Sequence, residues 1–92
     1  MASYSILWKQ SALSDLRALP RETIKPCLNR IKSLKLNPFP RGFKKIQGTE
    51  KTYRLRVGRY RIVYQMDESR HAVVIYHIRH RKDVYRALPL PD

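Results

Sequence analysis

The sequence predicts an α+β fold in which two N-terminal helices pack on one face of a small antiparallel sheet, with a short helical turn at the C-terminus. Three observations lead to this prediction. Apolar residues recur at spacings of three and four early in the chain, they alternate with polar residues later, and proline or glycine separates the predicted elements. A chain of 92 residues, 42% of them hydrophobic, matches one domain (residues 1–92) with a modest core.

The first predicted elements are a short strand and a helix. Residues 3–8 partly alternate between apolar and polar side chains, as in a strand. Ser11 belongs to a residue type that caps helices, and we expect it to begin a helix that ends at Pro20. The apolar residues of this helix are Ala12, Leu13, Leu16 and Leu19.

A second helix is predicted directly after Pro20, so that the two helices form a hairpin. Pro26 fits a regular helix only in the first turn, and we therefore expect the helix to begin near Lys25 or to bend there. Residues 37–42, which are rich in proline, end this helix and form a loop.

Four strands are predicted in the second half of the chain. Residues 43–46 form a brief strand, residues 53–57 and 59–66 form a hairpin, and residues 72–78 form the most apolar strand. Gly58 takes the first position of the two-residue hairpin turn, a position that favours glycine.

The hairpin turn predicts which residues face one another. Arg56 falls opposite Arg61, and because side chains alternate between faces, Arg54 lies on the same side as both. Like charges directly opposite each other are destabilising, so we predict that this arginine cluster holds an anion. The other face is predicted to be core and contains Tyr53, Leu55, Val57, Tyr60, Ile62, Tyr64 and Tyr76.

The charge of the chain narrows the class of partner. A net charge of +13 favours nucleic acid, an anionic surface or an acidic protein. Between Arg41 and Arg61 the chain has eight Lys or Arg residues and one acid, Glu50. This clustering argues against a merely well-solvated basic surface.

The lone cysteine and the absence of long apolar runs predict a cellular location. Cys27 has no partner for an internal disulfide, which favours a reducing compartment, and its helical spacing suggests a core residue. No apolar run approaches the roughly 20 residues that a membrane span needs, and no signal peptide is evident. We expect a soluble cytoplasmic protein.

A second basic group follows the last strand. It contains Arg79, His80, Arg81 and Tyr85. Guanidinium groups match phosphate oxygens with paired hydrogen bonds, and the aromatic and imidazole groups beside them suggest RNA. Side chains predicted to bind RNA through general attraction or backbone contacts are Lys44, Lys45, Lys51, Arg59, Arg79 and Lys82.

Cleavage of RNA without a metal or cofactor requires groups of three kinds. One group takes the 2′-OH proton, another stabilises the phosphorane, and a third protonates the leaving 5′ oxygen. Arginine suits the stabilising role. His80 and Tyr85 are the titratable candidates for proton transfer, Tyr85 with a pKa that neighbouring cations would have to lower.

Two stretches resemble the RelE/ParE toxin superfamily, and the RelE-like branch in particular. They are YRLRVGRYRIVY, residues 53–64, and IRHRKDVY, residues 78–85. The resemblance implies a RelE-like fold and the toxin of a type II toxin–antitoxin pair. It further implies a metal-independent endoribonuclease that cuts mRNA in the ribosomal A site through attack of the 2′-OH, leaving a 2′,3′-cyclic phosphate and a 5′-OH. The site residues that it implies are Arg54, Arg56, Arg61, Arg81 and Tyr85, with His80 as the alternative proton-transfer group.

One feature departs from the pattern of the family. In some RelE members two basic hairpin positions are lysines, one of them proposed as the base, whereas this chain has Arg54 and Arg56. Arginine keeps its proton under ordinary conditions, so the proton-transfer role moves to His80 or Tyr85.

Two other functions are compatible with the same residues. A ParE-like toxin would inhibit DNA gyrase without cleaving RNA, and a non-catalytic domain would bind RNA or the ribosome through the same basic face. The resemblance also implies an acidic cognate antitoxin that covers or distorts this face.

Overall fold

The computed structural model describes residues 3–80, which form two helices packed on one face of a five-stranded sheet and confirm the predicted α+β class. The predicted C-terminal helical turn lies outside the described residues. Within residues 3–80, no helix combines the length and the hydrophobicity that crossing a membrane requires. The elements are β1 Ser5–Trp8, α1 Gln10–Ala18, α2 Arg21–Ser33, β2 Phe43–Lys45, β3 Thr52–Val57, β4 Tyr60–Asp67 and β5 Ala72–His80.

The sheet has the strand order β1-β5-β4-β3-β2 and is mixed rather than wholly antiparallel. Strand β1 runs parallel to β5, with Ser5 beside Ala72 and Trp8 beside Ile75, whereas the other neighbouring strands are antiparallel. The prediction of an antiparallel sheet was wrong for this one strand. Alternation identifies a strand but carries no information on the direction in which its neighbour runs.

The predicted role of Ser11 as a helix cap was also wrong. Helix α1 begins at Gln10, with Lys9 at the capping position, and Ser11 lies inside the helix. Its hydroxyl instead donates a 2.7 Å hydrogen bond to the carbonyl oxygen of Tyr76 in β5. The serine therefore joins the helix to the sheet, a long-range contact that the local sequence does not reveal.

Helix α2 begins at Arg21 and contains Pro26 as its sixth residue. The start is thus earlier than the predicted position near Lys25. Proline inside a helix removes one backbone hydrogen bond. Packing of the buried residues Cys27 and Ile31 against the sheet is the force that favours the helix despite this loss.

The hairpin register agrees with the prediction. Arg56 pairs with Arg61 and Leu55 pairs with Ile62, and the turn glycine, Gly58, has a φ of +58°. Between the sheet and the helices lies a core of buried residues, namely Ala12, Leu19, Cys27, Ile31, Leu34, Leu55, Ile62, Tyr64, Met66, Val73, Ile75 and Ile78.

A β-bulge moves Tyr76 away from this core. Val63 pairs with His77, whereas the next residue of β4, Tyr64, pairs with Ile75, which leaves Tyr76 as the extra residue of β5. Tyr76 packs with Val63 and Ile46 in a smaller cluster apart from the main core. Its predicted place on the apolar face was therefore wrong, because strict alternation does not anticipate a bulge.

Gly58→Ala is expected to lower the free energy of unfolding by about 1 kcal/mol, because a Cβ is disfavoured at a positive φ. An added Cβ would meet nothing within 4 Å, so the loss comes from the backbone alone. Urea denaturation measures it, with Gly58→Asn as the milder comparison, since Asn tolerates this conformation better. A loss equal for both variants would contradict the explanation.

Candidate functional site

Four basic side chains converge at the hairpin end of the sheet. Lys44 of β2, Arg54 and Arg56 of β3 and Arg61 of β4 line, with Gly42, a concavity of about 260 Å³. We call these four side chains the arginine surface. Strand pairing places Lys44 beside Arg54 and Arg56 beside Arg61, on the side of the sheet opposite the helices.

Strand β5 extends this arrangement by one further arginine. Arg79 pairs with Arg61, so that Arg56, Arg61 and Arg79 form one row across three strands. Arg61 is at the centre of the row and is half-buried, whereas Arg56 is exposed and its Nε–H points to the carbonyl oxygen of Gly58 at 3.4 Å. A row of like charges is unfavourable on its own.

A carboxylate from α1 contacts the end of this row. Asp15 Oδ2 accepts a hydrogen bond from Arg79 Nε at 3.0 Å and another from the backbone N–H of Ile78 at 3.1 Å. The Nδ1 atom of His77 lies 3.3 Å from the same oxygen. Asp15 therefore offsets positive charge at the end of the row and fastens α1 to β5.

Comparison with known proteins identifies the family. Residues 6–85 match the family model described as the ParE toxin of the type II toxin–antitoxin system parDE. The chain belongs to the RelE/ParE toxin superfamily. A putative toxin RelE1 of Methanocaldococcus jannaschii is 31% identical, over 80% of this chain and 86% of the relative. The toxin RelE of Mycobacterium tuberculosis is 32% identical, over 94% of this chain and 90% of the relative.

Solved structures of RelE toxins share the fold of this RelE-like type II toxin. The RelBE2 toxin–antitoxin complex of Mycobacterium tuberculosis matches with a TM-score of 0.76 and 27% identity, over 86% of this chain and 99% of that chain. The archaeal RelE–RelB complex of Pyrococcus horikoshii matches with a TM-score of 0.75 and 25% identity, over 86% of this chain and 96% of that chain. Isolated RelE of E. coli, at 19% identity and a TM-score of 0.75 over 94% of this chain and all of that chain, supports the fold alone.

In this RelE-like toxin His80 lies away from the arginine surface. It pairs with Tyr60 on the helix-covered side of the sheet, with the two rings edge to face at 5.5 Å between centroids. The prediction that His80 acts beside the arginines does not fit this position. Arg79 lies on the side of the sheet opposite the helices. Because side chains alternate along a strand, the next residue, His80, points to the helix-covered side.

Three other predicted RNA-binding residues, Lys45, Lys51 and Arg59, do not line the concavity of the arginine surface. Lys45 and Arg54 line a second groove of about 550 Å³ along residues 46–49. Lys51 lines a different groove, together with Arg70. Arg59 is exposed in the hairpin turn. Arg81, Lys82 and Tyr85 lie outside the described residues, so their roles stay predictions.

Sequence reasoning missed Asp15 and left His77 undecided. Asp15 is the sole acidic residue of α1 and lies four residues after Ser11, a spacing that places both on one side of the helix. Both side chains bond to β5. The spacing is a usable signal for a shared role, but the sequence does not identify the partner strand.

Proposed function

We propose that this RelE-like toxin is an endoribonuclease that cuts mRNA in the ribosomal A site. The observation that carries the proposal is the convergence of Lys44, Arg54, Arg56 and Arg61 on one concavity of about 260 Å³. Four cations around a surface of this size suit a phosphodiester group and the charge that grows on it during cleavage.

The proposed reaction is an internal transfer that needs no metal. The 2′-OH loses its proton and attacks the adjacent phosphorus, and the bond from phosphorus to the 5′ oxygen breaks. The leaving oxygen takes up a proton, so the products are a 2′,3′-cyclic phosphate and a 5′-OH. Arg54, Arg56 and Arg61 stabilise the phosphorane, and because arginine stays protonated another group must move the protons.

We assign proton transfer to Tyr85 and further phosphate stabilisation to Arg81. With His80 on the helix-covered side, Tyr85 is the candidate that remains from the sequence. Tyr85→Phe is expected to lower the cleavage rate by about 10²-fold, a common contribution of general acid–base catalysis. Single-turnover cleavage on programmed ribosomes measures it. Tyr60→Phe removes a tyrosine hydroxyl from the helix-covered side of the sheet and should leave the cleavage rate unchanged. An equal loss of rate in both variants would refute the assignment.

The remaining cations contribute attraction for RNA. Lys45, Lys51, Arg59 and Lys82 are proposed to bind the backbone without selecting a sequence, which predicts an affinity that falls steeply with salt concentration. Arg79, which pairs with Arg61, extends the row of arginines next to the arginine surface.

The test of the function is cleavage by the purified toxin on ribosomes carrying a defined mRNA. Primer extension should map cuts within the A-site codon, and the 5′ ends should require phosphorylation before ligation. A single 2′-deoxy substitution at the cut nucleotide should abolish cleavage there, because it removes the nucleophile. Cutting that persists with the 2′-deoxy substrate would refute the proposed mechanism.

A second candidate function is inhibition of DNA gyrase, because the matching family model is described as a ParE toxin. The two functions separate cleanly in assays. A toxin that leaves mRNA intact on ribosomes but traps gyrase on DNA is of the ParE type. A chain that binds RNA and does neither is the non-catalytic binding domain.

We further propose an acidic antitoxin as the partner of this toxin. The net charge of +13 favours a negatively charged protein, and the similar M. tuberculosis and P. horikoshii structures are complexes with an antitoxin. An acidic segment laid over the arginine surface would compete with mRNA for the same guanidinium groups.

A further inference from the structure

We infer that Asp15 is a positioning residue that holds Arg79 in place as a phosphate ligand beside the arginine surface, an inference that rests on the proposed ribonuclease function. Arg79 sits at the end of the row that contains Arg56 and Arg61. Asp15 comes from a different element, α1, and touches this row at one oxygen atom.

The position of the carboxylate is set by the backbone of the sheet. Asp15 Oδ2 accepts the N–H of Ile78 at 3.1 Å, on the edge of β5 beyond the last residue pair with β1. The Asp15 side chain is 15% exposed. A carboxylate tied to a strand amide cannot move without losing that bond, so it is a fixed reference point for the arginine beside it.

The contact with Arg79 leaves its outer nitrogens suited to a ligand. Asp15 takes the Nε–H at 3.0 Å, which is one of the five N–H donors of a guanidinium group. Nη2 lies 3.5 Å from Nδ1 of His77, at the outer limit of a hydrogen bond. The Arg79 side chain is nevertheless 38% exposed. Fixing Nε orients the guanidinium plane, while the Nη groups remain the donors that phosphate oxygens favour.

Charge explains why this arginine needs a fixed partner. Arg79 lies directly opposite Arg61, and repulsion between them favours rotation of the exposed Arg79 side chain into solvent. The negative charge of Asp15 opposes that rotation. Removal of the Asp15 charge should therefore lower the cleavage rate, because the Arg79 guanidinium is no longer oriented. The affinity for RNA depends on total charge and should not fall.

The test compares Asp15→Asn with Asp67→Asn. Asparagine at position 15 can still accept the Ile78 N–H but carries no charge. Asp67, the last residue of β4, pairs at 2.7 Å with Arg70 of the following turn, so its substitution breaks the same kind of ion pair and changes the net charge equally. We expect Asp15→Asn to lower kcat on programmed ribosomes about tenfold with KM unchanged or lower, and Asp67→Asn to change neither.

A double-mutant cycle tests whether Asp15 acts through Arg79. In an Arg79→Ala background, Asp15→Asn should cause no further loss. The inference is overturned if Asp15→Asn leaves kcat unchanged, if it lowers kcat as much in the Arg79→Ala background as in the wild type, or if Asp67→Asn has the same effect.

A structural readout separates this inference from the proposed function. The Nε–H proton of Arg79, followed through its ¹⁵N signal, should exchange slowly with solvent in the wild type and in Asp67→Asn, and rapidly in Asp15→Asn. If the wild type cleaves no mRNA, the ribonuclease proposal fails, and the inference is then decided by this signal with a 2′-deoxy oligonucleotide added. A signal that is perturbed by the oligonucleotide in the wild type but not in Asp15→Asn supports positioning, and the same response in both overturns it.

Discussion

Arg61→Ala should lower the rate of mRNA cleavage by about 10³-fold, the upper range for loss of one preorganised donor to a developing negative charge. Arg61 lies on β4, between Arg56 and Arg79, and lines the concavity of the arginine surface. No neighbour in the row can replace a guanidinium at its centre without leaving its own position. Single-turnover cleavage on programmed ribosomes at saturating toxin is the measurement, because it reports the chemical step rather than binding.

Arg59→Ala is the matched control for this prediction. It removes the same charge two residues away, from an exposed side chain in the hairpin turn. We expect its cleavage rate to stay within a few-fold of the wild type, with only a weaker dependence of affinity on salt. The cleavage rate of Arg61→Lys should lie between those of Arg59→Ala and Arg61→Ala, because lysine retains the charge but not the paired donors. Equal losses in Arg59→Ala and Arg61→Ala would mean that net charge, not the concavity, controls cleavage.

Tyr64→Ala should lower the free energy of unfolding by about 4 kcal/mol, the middle of the range for truncating a buried aromatic side chain. Tyr64 is completely buried in the core between the sheet and the helices. Its hydroxyl donates a 2.6 Å hydrogen bond to the carbonyl oxygen of Pro38, in the loop that leads from α2 to β2. The substitution therefore leaves a cavity and also an unpaired carbonyl. Urea denaturation monitored by circular dichroism measures the loss.

Tyr64→Phe separates the two contributions. It keeps the ring and removes the hydroxyl, so we expect a loss of about 1–2 kcal/mol. Burial raises the pKa of Tyr64. The protonated hydroxyl therefore stabilises the folded state fully at a pH below the unfolded pKa of about 10, and this stabilisation is lost as the pH rises above that value. The alkaline loss should be smaller in Tyr64→Phe than in the wild type. If Tyr64→Phe were as unstable as Tyr64→Ala, the hydrogen bond rather than the packed ring would be the main stabilising contact.

The arginine surface was largely predictable, whereas its surroundings were not. A two-residue turn at Gly58 and alternation along the strands are enough to place Arg54, Arg56 and Arg61 together, and the strand pairing agrees. Lys44 joins the arginine surface because β2 pairs with β3, and the pattern of a three-residue strand does not specify this pairing. The position of His80 could have been derived from alternation alone, since it follows Arg79.

Three features depended on contacts between distant parts of the chain. Tyr76 leaves the core because a bulge inserts one residue into β5, and Ser11 and Asp15 bond to β5 because α1 lies along the edge that β1 does not cover. Each involves residues more than ten positions apart whose own neighbours give no indication of the contact.

From the amino acids alone came the α+β class, the hairpin with its register, and a row of cations on one side of a sheet. These follow from spacings of two to four residues and from turn chemistry, which act locally. The packed molecule was needed to show that β1 runs parallel to β5, that a bulge moves Tyr76 out of the core and that Asp15 bonds to Arg79. Such contacts join residues brought together only when the elements bury their apolar faces, so no short stretch of sequence encodes them.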